Sequence, residues 1–373
     1  MEMIENKLKT LGNSFEPFLS ASNPVVVKSL AKLGHSPDAI RRIELFDWFQ
    51  GVGLYGYYEL YLLTKEEEYL TILLNYYQTR IDDGLPAKNI NSMAPMLTLA
   101  SLLADDLIGE KLRKPYLELV LEWAKWLYKE APRTQAGGFA HLTCEAANAE
   151  ELWDDTLFMA ILFLAKVGVM DDKDHYVEEA IFQFLIHHQY LGDKESGFWF
   201  HGYTFDGHHN FVNAKWARGN SWITIFVPIF LEITKDYPLS EASKKIMTVA
   251  YKNQVRDLVK FQKADGLWPT LLDDAKSYSE ASASAGFVWG IVKGLNKGLL
   301  SEDECLKECV DKGVKALLVN ITEDGILEQV SGGTAMGKDS LDFYREIPLI
   351  AKPYGQAMAM AALIEVLKEK KYD

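Results

Sequence analysis

Aromatic, acidic, amide and basic side chains recur in this sequence just ahead of long apolar segments. Such a mixture suits carbohydrate, because flat aromatic faces stack on the apolar faces of sugar rings while short polar groups hydrogen-bond the hydroxyls. If the folded chain brings these positions together, they predict a sugar-binding site. The residues concerned are Asp47, Trp48, Gln50, Asn91, Trp153, Asp154, Asp155, His201, Trp216, Arg218, Asn220, Trp222, Lys352 and Tyr354.

Arg218 narrows the class of sugar. Its guanidinium group can donate two parallel hydrogen bonds to a carboxylate, an interaction that a neutral sugar does not need. Arg218 also lies between two of the candidate aromatic residues, Trp216 and Trp222. The sequence therefore predicts a uronic acid as the ligand.

Asp154 and Asp155 are the candidate catalytic acids, and two interpretations are open. They follow Trp153 and precede an apolar run that starts at Leu157. A carboxylate at the start of a helix can simply cap free backbone N–H groups. For Asp154, the alternative to a catalytic role is such a capping role or an outward-facing position. If Asp155 faces the tryptophans, desolvation would raise its pKa and let it hold a proton as a general acid.

The histidines and the short motifs point to no metal or cofactor. His201 follows an aromatic loop, where a structural hydrogen bond is the alternative to substrate contact. His187 and His188 are adjacent, so they cannot share a helix face. The sequence has no HExxH, no paired CxxC, no Walker loop and no GxGxxG after a strand, so we expect no metal and no cofactor.

Six apolar helical runs must position these residues. They open at Trp48, Asn91, Trp153, Trp216, Ser282 and Pro353, which lie 43 to 71 residues apart. Amphipathic segments alternate with them. A helix that is apolar on nearly every face is buried on every face, whereas the helices of an open solenoid usually stay half exposed. We therefore predict an all-α fold, an (α/α)6 barrel of six helical hairpins, over a single domain of residues 1–373.

Composition limits the partners and the compartment. The 373 residues include 39 Lys and Arg against 53 Asp and Glu, a net charge of −14 that argues against nucleic acid or an anionic membrane surface as partner. Three cysteines form no disulfide framework, no secretory signal is evident, and no apolar run reaches the ~18 residues of a membrane span. The sequence predicts a cytoplasmic protein and leaves its oligomeric state open.

Five short segments together resemble a known family. In chain order they are NINSMAPM at 89–96, WDDTLFM at 153–159, HGY at 201–203, WARGNSW at 216–222 and GLNKG at 294–298. In this combination and order they resemble the unsaturated rhamnogalacturonyl hydrolases of glycoside hydrolase family 105. The resemblance extends from about Trp48 to Leu363 and implies the same (α/α)6 barrel.

The resemblance implies a reaction and its residues. Enzymes of that family hydrate the C4=C5 double bond of the unsaturated uronic acid that pectin lyases leave at the end of each fragment. Their catalytic aspartate corresponds to Asp155, which would protonate C4 and activate water, releasing the neighbouring sugar, typically rhamnose. By the same matching, the side chains that would face the sugar are Trp48, Trp153, Trp216 and Trp222. Polar contacts to the uronate would come from His201 and Arg218, and the segment Ser331-Gly332-Gly333-Thr334 would be a late loop that approaches the substrate.

One position departs from the pattern. Some members, and the related unsaturated glucuronyl hydrolases, have a second aspartate where this chain has Asn91. An amide cannot ionise, so Asn91 can orient water or a hydroxyl but cannot be the base, which leaves Asp155 as the lone proton shuttle. The alternatives to the pectin enzyme are an unsaturated glucuronyl hydrolase, a sugar epimerase, and a non-catalytic carbohydrate-binding protein on the same barrel.

Overall fold

The structure, a computed structural model, describes residues 2–333 and 335–371. Over these residues the chain is mostly helical, and every helix is too short or too polar to cross a membrane. The helices are α1 (Glu2–Phe15), α2 (Pro24–Lys32), α3 (Pro37–Glu44), α4 (Trp48–Thr64), α5 (Glu67–Asp83), α6 (Met93–Ala104), α7 (Glu110–Lys129), α8 (Leu162–Met170), α9 (Asp174–Leu191), α10 (Ala217–Ile233), α11 (Glu241–Phe261), α12 (Ala281–Asn296), α13 (Glu304–Asn320), α14 (Asp342–Arg345) and α15 (Pro353–Lys371).

Short segments complete the chain. A 3-10 turn (Glu16–Leu19) follows α1, and a π-helical turn (Leu157–Ile161) leads into α8. Two antiparallel strand pairs are formed by β1 (Glu151–Trp153) with β2 (Gly202–Thr204), and by β3 (Trp268–Pro269) with β4 (Ser279–Glu280). The described part of the chain therefore has very little sheet, as the sequence predicts.

Six helices form the inside of the molecule because they have no polar stripe to show to water. In α4, 13 of 17 residues are buried, and in α6, 11 of 12 are. Helices of this kind need apolar neighbours on all sides. The inner helices are α4, α6, α8, α10, α12 and α15, one for each predicted opening.

The inner helices close into a ring. Each packs against the next in chain order, and α15 packs against α4. An open solenoid would leave the first and last of these helices apart. The predicted (α/α)6 barrel is confirmed.

The outer helices show how the sixth hairpin is completed. Five inner helices are each followed by their outer partner, namely α5, α7, α9, α11 and α13. The sixth, α15, is instead covered by α1 from the other end of the chain. Residues Ile4, Leu8, Leu11 and Phe15 of α1 are buried there because their spacing of three or four places them on one helix face.

Glycines allow the inner helices to approach closely. A Cβ built on Gly290 of α12 would lie 2.4 Å from the carbonyl oxygen of Thr224 in α10. No larger residue fits without moving one of the two backbones. The contact between α10 and α12 therefore depends on glycine at this position.

A buried ionic cluster lies near the carboxyl ends of the inner helices. Lys293 of α12, which is 1% exposed, contacts Glu232 at 2.7 Å, Glu365 at 3.2 Å and Glu59 at 3.6 Å. Lys368 also pairs with Glu59 and Glu365. The cluster joins α4, α10, α12 and α15 at the end of the barrel away from the predicted site.

Candidate active site

A cavity of about 360 Å³ opens at the amino ends of the inner helices. Its deep part is formed by residues from the helix openings, and its rim by α2, α3, the segment 143–148 and the segment 335–338. Of the residues gathered from the sequence, those that line the cavity are Asp47, Trp48, Asn91, Trp153, Asp155 and Arg218.

Local structure explains the position of Asp155. Strand β1 pairs with β2 so that Trp153 is opposite Gly202, and the backbone N–H of Asp154 donates to the carbonyl oxygen of His201 at 3.1 Å. The π-helical turn begins at Leu157, two residues after Asp155. This arrangement places Nε2 of His201 3.3 Å from Oδ2 of Asp155, close enough for an ion pair but without the alignment of a hydrogen bond.

The sequence predicts a raised pKa for Asp155 if it faces the tryptophans, but in the free enzyme this pKa is lowered. Burial by itself raises the pKa of Asp155, but the neighbouring His201, together with His141 and Asp154, outweighs burial and lowers it. Asp155 is therefore a carboxylate at neutral pH when no substrate is bound.

Asp154 is in the opposite state. Its side chain is fully buried, neither carboxyl oxygen has a hydrogen-bond partner, and a Cβ built on Gly219 would lie 2.4 Å from Oδ2. It is therefore neither an N-cap nor an outward-facing residue. Burial, and then the charge of Asp155, raise the pKa of Asp154 well above its usual range. The two adjacent side chains together hold one proton at neutral pH.

Asp154, Asp155 and His201 also offer three potential ligand atoms within 4.8 Å of one another, the arrangement in the described residues closest to a metal site. The chemistry of the set fits proton transfer better. Asp154 is fully buried, is turned towards Gly219 and does not line the cavity, so its carboxyl oxygens are not presented to an ion there. We therefore assign these groups to acid–base chemistry.

Arg218 lines the cavity but is held by the protein. Nη1 donates to Oγ of Ser331 at 2.6 Å and to its carbonyl oxygen at 3.0 Å, and Nη2 donates to the carbonyl oxygen of Gly333. The guanidinium lies over the rings of Trp216 and Tyr354 at 4.5 and 4.7 Å, and its Nε has no partner. Arg218 thus fixes the 331–333 segment beside the cavity. Thr334 lies outside the described residues.

The four tryptophans take different places. Trp48 and Trp153 line the cavity, and the Trp153 Nε1 donates to Oε2 of Glu151 at 2.9 Å. Trp216 lies behind the lining, against Arg218 and against the His201 ring at 4.4 Å. Trp222 is fully buried, and its ring is 4.9 Å from that of Phe158. The first two face the cavity, whereas Trp222 packs against Trp48 and Trp216 packs against Arg218.

Asn91 and His201 complete the predicted set. Among the described residues the Asn91 side chain has no hydrogen-bond partner, so its amide is free to bind substrate or water. His201 is buried, and its Nδ1 is 2.8 Å from the hydroxyl of Tyr344. His201 therefore acts on the cavity through Asp155, whose carboxylate separates it from the open space.

Several other polar residues gathered from the sequence prove to be structural. Asp47 and Gln50 form a capping box at the start of α4. Asn220 bridges the backbone of Trp199 and of Trp216. Tyr354 donates from its hydroxyl to the Ser331 carbonyl oxygen at 2.5 Å.

His141 is a site residue that the sequence does not reveal. Its ring stacks on Trp153 at 4.5 Å with 9° between the planes, and Nδ1 is 2.8 Å from Oγ1 of Thr156. Burial lowers the pKa of His141 to about 4, so the ring is neutral. Since Nε2 has no protein partner and is not sealed off, it reaches the cavity that His141 lines. Only the Gly-Phe that precedes it in the loop could have drawn attention to it.

A helical barrel with paired aspartates, tryptophans and an arginine at one mouth defines a carbohydrate-active enzyme of the glycoside hydrolase class. The model of Glycosyl Hydrolase Family 88 matches residues 26–370. The chain belongs to this family.

Individual relatives agree with this assignment. The unsaturated rhamnogalacturonyl hydrolase YesR of Bacillus subtilis is 33% identical over 336 residues, which are 87% of this chain and 91% of that protein. Two solved structures, each described as a possible member of the GH105 family, are 40% identical with TM-scores of 0.87. One, from Salmonella enterica serovar Paratyphi A, covers 97% of this chain and 94% of its own; the other, from Klebsiella pneumoniae, covers 97% and 93%. The resemblance to family 105 is confirmed.

Proposed function

We propose that this protein removes the terminal unsaturated galacturonyl residue from oligosaccharides of pectin, in particular of rhamnogalacturonan, by hydrating its C4=C5 double bond. The observation that carries the proposal is the place of Asp155, whose mostly buried side chain opens onto a cavity lined by Trp48, Trp153 and Arg218. The names of the relatives described above support the same substrate class.

The paired aspartates provide the proton for the reaction. An anionic uronate in the cavity favours a proton on Asp155, which lines the cavity, over one on Asp154, which does not. Asp155 then gives this proton to C4, while water adds its oxygen to C5 and returns a proton to the Asp155 carboxylate. The hemiketal at C5 opens and releases the neighbouring sugar. The Asp154–Asp155 pair ends as it began, with one proton.

Two further groups orient the reactants. The free amide of Asn91 can hold the attacking water or a sugar hydroxyl, but it has no proton to exchange. We propose that Arg218 attracts the uronate carboxylate through its charge, because its Nη donors already hold the 331–333 segment. His201, Trp216 and Trp222 contribute by fixing Asp155, Arg218 and Trp48.

The test is direct. Incubation with an unsaturated galacturonyl-rhamnose disaccharide should remove the ultraviolet absorption of the conjugated double bond and release rhamnose in equal amount. A parallel series with unsaturated glucuronyl disaccharides measures the preference between the two uronates. No loss of absorption with any unsaturated uronide would contradict the proposal.

Asp155→Asn should lower kcat by about 10²- to 10⁴-fold, since it removes the group that transfers both protons. Asp311→Asn, an exposed change on the outer helix α13, is the matched control and should leave kcat unchanged. Circular dichroism and thermal unfolding of both variants check that they are folded. A near-normal kcat for Asp155→Asn would show that the acid is misassigned.

We infer that the protein works in the cytoplasm on a small oligosaccharide, without nucleic acid or membrane as partner. The free thiols of Cys144, Cys305 and Cys309 and the net charge of −14 support this inference.

A further inference from the structure

The cavity has two chemically different ends. The deep end holds Trp153, Asp155 and Arg218, where the unsaturated uronate has to lie for the proposed reaction. The outer end is bounded by α2, α3 and the segment 143–148. A disaccharide with its first ring at Asp155 therefore places its second ring between these rim elements.

The wall of the outer end is apolar. Leu30 of α2 and Ile43 of α3 are buried against each other in a small cluster, and Val26 and Cys144 pack against it. All four line the cavity. Such a surface binds the apolar face or the methyl group of a sugar.

The charges at the outer end are negative. Glu44 accepts hydrogen bonds from the Ser22 hydroxyl at 2.9 Å and from the Asn23 backbone N–H at 3.1 Å, which hold its carboxylate in place at the cavity rim. Glu145 lines the same rim. It acts electrostatically on the cavity wall, because the pKa of Asp47 is raised to about 7 by burial and, in addition, by the charge of Glu145.

The cations of the lining are already engaged. Among the described lining residues these are Arg218 and Lys338. Arg218 is bound to the 331–333 segment, and Nζ of Lys338 lies 2.5 Å from Oε1 of Glu151. An anionic group on the second sugar would thus meet two carboxylates and no free cation in the described lining.

We propose, on the basis of the proposed function, that Glu44 and Glu145 are specificity-determining residues of this outer subsite, which exclude a sulfated or carboxylated sugar from it. The discrimination is electrostatic: repulsion between like charges a few ångströms apart persists at the surface and is reduced by salt. Selection against the wrong partner by an unmatched charge is a general means of specificity.

Two unsaturated disaccharides that differ only in one sulfate on the second sugar test the proposal. We expect kcat/KM to be about tenfold or more higher for the unsulfated one at low salt, and the ratio to shrink at high salt. Glu145→Gln, and more so the double variant with Glu44→Gln, should bring the two kcat/KM values closer by several-fold. Glu118→Gln on α7, an exposed glutamate away from the cavity, is the matched control and should not change the ratio.

Equal kcat/KM values for the two disaccharides in the wild type, or a ratio that the glutamate variants leave unchanged, would overturn the subsite. If neither disaccharide loses its ultraviolet absorption, the proposed function fails instead. In that case the Kd of each disaccharide for the Asp155→Asn variant, measured by calorimetry, still decides the subsite: tighter binding of the unsulfated one supports it, and equal binding overturns it.

Discussion

At the scale of single residues, the site shows how surroundings separate two chemically identical side chains. Asp154 and Asp155 are neighbours in sequence, yet one is sealed against Gly219 and neutral while the other faces the cavity and is ionised. Burial acts on both, but Nε2 of His201 lies 3.3 Å from Oδ2 of Asp155 and lowers the pKa of that carboxyl, whereas the charge of Asp155 raises the pKa of Asp154 further. The difference gives the enzyme one stored proton next to one reactive carboxylate.

His141 is the residue whose role is best tested by a pair of substitutions. A glutamine amide extends to about the position of Nε2 and an asparagine amide to that of Nδ1. Since Nδ1 bonds Thr156 and Nε2 faces the cavity, we expect His141→Asn to lose about tenfold or more in kcat/KM and His141→Gln to keep more of it. Steady-state kinetics with equal thermal stability of the two variants is the measurement.

If the two variants lose equal kcat/KM and equal stability, the ring serves only to pack against Trp153. Because the pKa of His141 is about 4, its removal should also leave the activity profile between pH 6 and 8 unchanged in shape.

The sequence predicts the cavity residues that stand at helix openings, such as Asp155 and Arg218, since the helical period reveals where each opening lies. It does not reveal His141, which lies in an irregular loop, or Tyr344, which lies in the four-residue helix α14, because neither segment is long enough to show a period. Nor could it show that Trp222 is fully buried, because several tryptophans share the same openings and only packing decides which reach the cavity.

At the scale of elements, short irregular pieces do most of the positioning. The β1–β2 pair aligns Trp153 with Gly202, and the π-helical turn after Thr156 starts an inner helix directly behind the acid pair. Bulges of this type are frequent at functional sites. A regular helix beginning at Trp153 would have turned these side chains differently.

The close approach of α10 and α12 should be sensitive to a single methyl group. Gly290→Ala places Cβ 2.4 Å from the Thr224 carbonyl oxygen, so one helix must shift. We expect the free energy of unfolding to fall by about 1–3 kcal/mol, as overpacking in a core usually costs. Urea unfolding is the measurement, with Gly109→Ala, whose Cβ would meet nothing within 4 Å, as the control.

A loss of stability in Gly290→Ala no larger than that of the control would mean that the two helices have room for the added methyl group.

The inner helices themselves could be predicted from sequence, because each is apolar over nearly all its length. The packing of α1 against α15 could not be predicted, because the sequence of neither helix indicates which helix it contacts.

At the scale of the molecule, one hydrophobic core runs through the ring, and the family match covers most of the chain. We propose on these grounds that the chain is a single domain. The ionic cluster around Lys293 joins four of its inner helices at the end opposite the cavity.

Lys293→Met should destabilise the whole barrel, because it removes the buried cation that Glu59, Glu232 and Glu365 share and leaves Glu59 and Glu365 with Lys368 alone. We expect a loss of about 3–5 kcal/mol in the free energy of unfolding at pH 7. Burial raises the pKa of Glu59, but Lys293 and Lys368 outweigh it and hold that pKa far below its usual range. A carboxylate with a lowered pKa stabilises the fold above about pH 4.5 and loses this contribution as the pH falls further.

The wild type should therefore lose stability steadily as the pH falls below about 4.5, and Lys293→Met should lose less over the same range. Urea midpoints at several pH values measure both slopes. Parallel curves for the two proteins would show that the cluster does not govern the response to acid.

The closure of the ring by α15 also sets the order of events during synthesis. Part of the apolar face of α1 and one side of α4 are covered only when α15 packs on them. At about 5–20 residues per second, the ribosome needs roughly 15–60 s to pass from α4 to α15. During that interval the nascent barrel is an open arc with two exposed apolar edges. Chaperones that recognise apolar surface can bind these edges until the ring closes.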